Sequence, residues 1–116
     1  MRISDKAAVE KILKAMADPE NMKIMVRIRE IPKSAQTLTV ETGIPLSTVY
    51  RKLDELKETG LVTPQHFIMK AGKKIEFLIV TFSELKTTIE DGLVRIDLVP
   101  TNETANLKWL GLFRGS

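Results

Sequence analysis

GIPLSTVYRKLDELKETGLV, residues Gly43 to Val62, carries the clearest structural signal in this sequence. It reads as a tight turn, a helix and the entry to a β-strand. Gly43 supplies a backbone that tolerates positive φ, and Pro45 fixes φ where a helix begins. Val49, Leu53 and Leu56 recur at helical spacing and line one side. At about 100° per residue, Ser47 and Arg51 fall on the opposite side, with Thr48 and Tyr50 on the flanks. Gly60 closes the helix, and Leu61-Val62 open an apolar strand. Exposed Ser, Thr, Tyr and Arg side chains on the first turns of a short helix, just after a turn, suit the DNA major groove.

Upstream, Val9, Ile12, Leu13 and Met16 repeat at helical spacing between Asp5 and Ala17. Asp18-Pro19 breaks that pattern and restarts it, with Asp18 as N-cap and Pro19 at the first helical position. The second helix puts Ile24, Met25, Ile28 and Ile31 inward, and Pro32 stops it. Ser34 caps a third, shorter helix with Ala35, Leu38 and Val40 as its apolar members. Thr37, Thr39 and Thr42 give that helix poor intrinsic propensity, so packing must hold it.

Downstream, two β-rich runs in Gln65 to Phe82 flank Ala71-Gly72-Lys73 and predict a hairpin with a basic tip. A three-residue loop aligns Phe67 with Phe77 and Met69 with Ile75; shorter loops stay open. A two-residue Asp91-Gly92 loop predicts a second hairpin of type I′. Pairing outward opposes Ile89 with Val94, Thr87 with Ile96 and Leu85 with Leu98 on one face. The other face opposes Lys86 with Asp97 and Thr88 with Arg95. After Pro100, Thr101 or Asn102 can cap a last helix rich in apolar residues: Leu107, Trp109, Leu110, Leu112 and Phe113.

At 116 residues the chain is read as a single domain. It divides into 1–82 (helix-turn-helix core and wing), 83–99 (extra hairpin) and 100–114 (terminal helix). With 43% hydrophobic and 28% charged residues, it belongs to the globular class. No apolar run reaches membrane-spanning length, and the N-terminus lacks the apolar core of a signal peptide. Zero cysteines exclude disulfides and thiolate metal sites and suit a cytoplasmic protein. A net charge of +3 mildly favours a polyanionic partner. No phosphate loop, nucleophile elbow or paired metal ligands occur, so no enzyme and no cofactor is expected.

KAMADPENMKIMVRI, Lys14 to Ile28, resembles the helix–Asp-Pro–helix signature of the ArsR-type (arsenical-resistance-repressor-like) winged-helix family. Thr37 to Val62 resembles the helix-turn-helix and strand entry of that family and its archaeal relatives. The resemblance implies an α+β winged helix-turn-helix, a three-helix core plus a β-wing, here extended by the second hairpin and terminal helix. It further implies a homodimer that regulates transcription on double-stranded DNA. Carried onto this sequence, the reading positions are Ser47, Thr48, Tyr50 and Arg51, and the wing tip is Lys70, Lys73 and Lys74. Two departures stand out. The family's sensors bind metal through cysteine pairs or His/Asp clusters, whereas this chain has no Cys and one His; metal sensing is not carried over. Asn21 also stands where an arginine is common.

Arg51 and the wing lysines could be solvated charges, and His66 is read as structural or surface. Asp54, Glu55 and Glu58 repel phosphates, so only the first half of the reading helix can lie deep in a groove. That acidity keeps a second function open, a winged helix serving as a protein-interaction module in transcription or replication machinery. For the dimer, the expected interface joins Val9, Ile12, Leu13 and Met16 of the first helix to Trp109, Leu110, Leu112 and Phe113 of the last.

Overall fold

The computed structural model describes residues 1–101. In chain order its elements are β1 (Arg2–Ile3), α1 (Lys6–Ala17), α2 (Pro19–Arg27), α3 (Ala35–Thr42), α4 (Leu46–Thr59), β2 (Val62–Lys70), β3 (Lys73–Val80), β4 (Phe82–Glu90) and β5 (Leu93–Pro100). The order of helices, turn and β2–β3 wing is that of a winged helix-turn-helix.

Asp18 makes the corner between α1 and α2. Its amide donates to the Ala15 carbonyl at 3.4 Å, and its carboxylate accepts from the Glu20 and Asn21 amides at 2.9 and 3.0 Å. Asn21 is fully buried and donates its side-chain amide to the Ala15 carbonyl at 3.0 Å. An amide therefore works at this position as an internal clamp on the corner.

Helix α2 ends at Arg27, earlier than Pro32 suggests, because the chain turns there to meet the wing. The Ile28 carbonyl accepts from the Val80 amide at 3.4 Å. Lys33 then forms an antiparallel bridge with Leu78, with bonds of 3.2 and 2.9 Å. Ile31, expected inside, lies on this connection and is 62% exposed. In α3, Ala35 and Leu38 are buried as expected, but Val40 is 84% exposed. Two residues along a helix turn it about 200° away from Leu38. Ile44, just past the turn, enters the core in its place. That turn needs Gly43, whose φ of +77° lets its amide reach the Thr39 carbonyl at 2.9 Å.

Val49, Leu53 and Leu56 of α4 meet Val9 and Ile12 of α1, Ile24 and Ile28, and Leu78 and Val80 of the wing base in one core. Ile96 and Leu98 of β5 complete it. Val9 and Ile12 are 3% and 2% exposed within one chain, so neither is available to a partner, against the expectation for both. Leu13 stays 36% exposed and Met16 packs at the core's edge. The other expected interface residues, Trp109, Leu110, Leu112 and Phe113, lie outside the described residues, as does the expected terminal helix.

The sheets are a two-stranded β2–β3 wing and a three-stranded sheet in the order β1-β5-β4. In the second sheet, β4 and β5 pair in the anticipated register, Leu85 with Leu98, Thr87 with Ile96 and Ile89 with Val94. Asp91 and Gly92 form its two-residue turn at φ +52° and +74°. The short β1 was not anticipated; Arg2 sits opposite Asp97 and takes its carboxylate at 3.1 Å. Lys86, the cross-strand neighbour of Asp97, instead lies 3.3 Å from Glu84. Thr81, the single residue between β3 and β4, donates its hydroxyl to the Gly60 carbonyl at 2.7 Å and its amide to Leu61 at 3.0 Å. Both sheets are thereby fastened to the exit of α4.

Candidate nucleic-acid interface

The reading helix is held from behind. Lys52 falls within the stripe of Val49, Leu53 and Leu56 and is 8% exposed. Its ammonium reaches the Asp18 carboxylate at 2.5 Å, joining α4 to the α1–α2 corner. The Lys52 bond, helped by the Asn21 amide, holds the Asp18 carboxyl below the ordinary carboxylate range. Neither partner of this pair was among the functional candidates. Position 52 sits at i+3 from Val49 and i−4 from Leu56, so the periodicity alone marks it as inward-facing.

From the other side of the helix project Ser47, Tyr50 and Arg51, all exposed, with Thr48 partly covered. Arg51 has no ion pair among the described residues. Pro45 occupies the N-cap position and no side chain caps the first turn of α4. The amides of that turn add their share of positive potential to the same end of the helix. Asp54, Glu55 and Glu58 are exposed further along, so the positive end is the first half.

The wing tip departs from a three-residue loop. Ala71 and Gly72 alone make the turn, at φ +52° and +76°, because two left-handed residues match the twist of the flanking strands. Lys70 then pairs with Lys73, Met69 with Lys74, Ile68 with Ile75, Phe67 with Glu76 and His66 with Phe77. The expected Phe67–Phe77 and Met69–Ile75 alignments are therefore each shifted by one residue. Pro64, which has no amide to donate, is followed by a bulge that restores the pairing toward Val62 and Val80. Lys70 and Lys73 stand directly opposite each other, an unfavourable like-charge pair that an anion would relieve. Lys74 points to the other face, 4.7 Å over the Phe67 ring. His66 stacks on Phe77 with ring centres 4.7 Å apart, and its Nδ1 lies 3.1 Å from the Gln65 side-chain oxygen.

A second ion pair sets the wing beside the helix. Lys57 of α4 reaches Glu76 of β3 at 2.7 Å, both about one-third exposed. Between them lies a small cleft lined by Tyr50, Leu53, Asp54 and Lys57 of α4 and by Lys74 and Ile75 of the wing. Tyr50 and Lys74 thus line the same cleft, one from the helix and one from the wing. Sequence reading missed Lys57 and Glu76, since no local spacing links residues 19 apart.

No protein-family model matches the chain, and no curated protein matches it in sequence. Among solved structures it is similar to HlyU from Vibrio cholerae, at 20% identity over 90% of this chain and 88% of that one, with a TM-score of 0.45. It is also similar to a transcriptional regulator, HlyU from Vibrio vulnificus, at 22% identity over 90% and 85%, TM-score 0.45. A third similar structure is NolR from Sinorhizobium fredii, at 14% identity over 90% and 82%, TM-score 0.46. At these TM-scores the likeness adds no argument to the topology described above, on which the winged helix rests. Among the described residues no helix is long and apolar enough to cross a membrane.

Proposed function

We propose that this protein is a sequence-specific transcriptional regulator that binds double-stranded DNA, as a cytoplasmic homodimer, through α4 and the wing. The observation that supports the reading is Arg51, without an ion pair among the described residues, on the outward face of α4, next to a wing whose tip carries the opposed Lys70–Lys73 couple on one face and Lys74, lining the cleft with Tyr50, on the other. In this reading Arg51 donates to base edges, with Ser47, Thr48 and Tyr50 completing the discrimination. Lys70, Lys73 and Lys74 neutralise phosphates and supply sequence-independent affinity. The work is binding, and no bound cofactor or metal is part of it. The dimer brings Leu13 and Met16 of α1 toward a symmetry mate, with Trp109, Leu110, Leu112 and Phe113 contributing from the C-terminal segment. Such a two-fold sets the reading helices about 34 Å apart, facing an inverted repeat.

Selection of bound duplexes from a random pool tests this reading. It predicts an enriched motif with two related half-sites about one helical turn apart. A pool that returns no enriched sequence overturns sequence-specific binding. The acidic run Asp54, Glu55 and Glu58 on the exposed side of α4 favours a second reading, a protein-interaction module. That reading gains if duplexes fail to bind at low salt.

A further inference from the structure

Among the described residues, no strand lies beside the outer edge of β4. The apolar rungs of the β4–β5 hairpin run from Leu85–Leu98 through Thr87–Ile96 to Ile89–Val94. Ile96 and Leu98 are 0% and 5% exposed at the base, whereas Ile89 is 77% and Val94 38% exposed at the far end. The Glu90–Leu93 rung closes the two-residue turn, so the backbone groups of Glu90 and Thr88 face β5. Those of Ile89, Thr87 and Leu85 alternate with them and point out along the open edge. A bare apolar rung beside outward backbone groups is a template for a further strand.

We propose that β4 pairs edge to edge with β4 of a second copy, antiparallel about a two-fold axis at Thr88. Paired residues share a face of the sheet, so such an axis must pass through a residue of β4. An axis at Leu85 leaves Ile89 beyond the other copy's strand. One at Lys86 sets Lys86 against Lys86, and one at Thr87 sets Glu84 against Glu90, both like-charge pairs. One at Ile89 shortens the overlap and pairs no charges. At Thr88, Lys86 of each copy faces Glu90 of the other, and Thr87 faces Ile89 through the outward backbone groups.

The other charges of the hairpin fit this register. Glu90 is exposed without an ion pair among the described residues, and Lys86 has only Glu84 at 3.3 Å, on the surface. Glu84 and Leu85 lie beside the other copy's turn, at its Gly92 and Asp91. Asp97 is held by Arg2, and Arg95 sits one strand in from the edge. The bare Ile89–Val94 rung is continued by Thr87 and the buried Ile96 of the other copy, which brings it alongside that copy's core. The contact is short and weak by itself, and acts where copies are already held close. It does not rest on DNA binding and uses none of the residues assigned to the α1 dimer.

The chain has no cysteine, so a single introduced thiol reports the register. On the axis, Thr88 meets its own mate across a non-hydrogen-bonded rung, with Cα atoms about 4.5 Å apart, within disulfide range. Ser83 is more exposed, but this register holds it roughly 33 Å from its mate at about 3.3 Å per residue. Under mild oxidation of the concentrated full chain, Thr88→Cys should form a covalent dimer about tenfold or more faster than Ser83→Cys. Glu90→Lys should slow the Thr88→Cys cross-link, adding Lys86→Glu should restore it, and Leu13→Glu should leave it unchanged. If Thr88→Cys impairs folding, a mixture of Lys86→Cys and Glu90→Cys chains makes the same test, since those positions face each other. A Thr88→Cys rate no greater than that of Ser83→Cys overturns the proposal. So does faster cross-linking of Thr87→Cys, which moves the axis, or a cross-link lost with Leu13→Glu, which assigns the contact to the α1 face.

Discussion

Arg51 and Lys73 have similar charge but are assigned different tasks, and the difference is measurable. A guanidinium facing base edges discriminates, whereas a wing ammonium facing phosphate displaces counterions whatever the sequence. Arg51→Ala should cost about 1–3 kcal/mol at the selected site and flatten the preference among sequences. Lys73→Ala should weaken all duplexes alike and lower the salt slope by about one unit. Titration of selected and scrambled duplexes by fluorescence anisotropy separates the two. Equal losses on both duplexes for Arg51→Ala count against base reading.

Asp18 concentrates several stabilising roles in one residue: its carboxylate caps α2 and pairs with Lys52, and its backbone amide closes α1. Its carboxyl is held below the ordinary range chiefly by the Lys52 bond, so its folded-state pKa lies beneath that of the unfolded chain. The stabilisation is therefore fully present above the unfolded value and is lost as pH falls through the carboxylate range. Asp18→Asn should cost about 1–2 kcal/mol at neutral pH, and the gap from the native chain should narrow in acid. Urea melts across pH read this directly. A gap constant with pH would rule out the charge as its source.

At the scale of elements, the wing is positioned by a few contacts that can be cut one at a time. Lys57–Glu76 joins β3 to α4 near the tip side, and the Lys33–Leu78 bridge joins it at the base. The ion pair is partly exposed, so breaking it should cost the fold at most about 1 kcal/mol. It should cost DNA affinity more, because a wing free to swing loses its fixed offset from the helix. Glu76→Gln should thus lower affinity with little change in melting temperature. Unchanged affinity would show that the wing angle does not depend on this pair.

Which elements were legible from the sequence follows from the range of the forces that make them. Helix α4, its glycine stops and the Asp91-Gly92 hairpin rest on contacts a few residues apart, and all were readable. The wing register was not, because Ala71-Gly72 carries a weak turn signal: the two-residue turn it makes shifts Phe67 and Met69 by one residue, and the bulge after Pro64 shifts the pairing again nearer the base. Ile31 and Val40 were placed inside by period, yet the bridge to Leu78 and the rotation past Leu38 put both in water. The pairing of β1 with β5 joins opposite ends of the described chain, beyond the reach of local pattern. Of the site, the outward group on α4 was visible from its spacing. The Lys52–Asp18 and Lys57–Glu76 pairs that hold it required the tertiary fold.

At the scale of the whole molecule, α1 has two faces with different roles. Ile12 belongs to the core of its own chain, and Ile12→Ala should cost about 2–5 kcal/mol of folding stability. Leu13 is partly exposed and is assigned to the partner, so Leu13→Glu should leave the melt of the monomer nearly intact and dissociate the dimer. Sedimentation equilibrium at micromolar concentration distinguishes these outcomes. A native chain that sediments as a monomer removes the two-fold arrangement but leaves α4 and the wing as a DNA-binding unit. The most direct test of that central claim is a binding isotherm for the native chain on its selected duplex across a range of salt. The account predicts tight binding at low salt, with log K falling linearly as log salt rises and a slope set by the phosphates neutralised. Binding that is absent at low salt, or indifferent to salt, contradicts it.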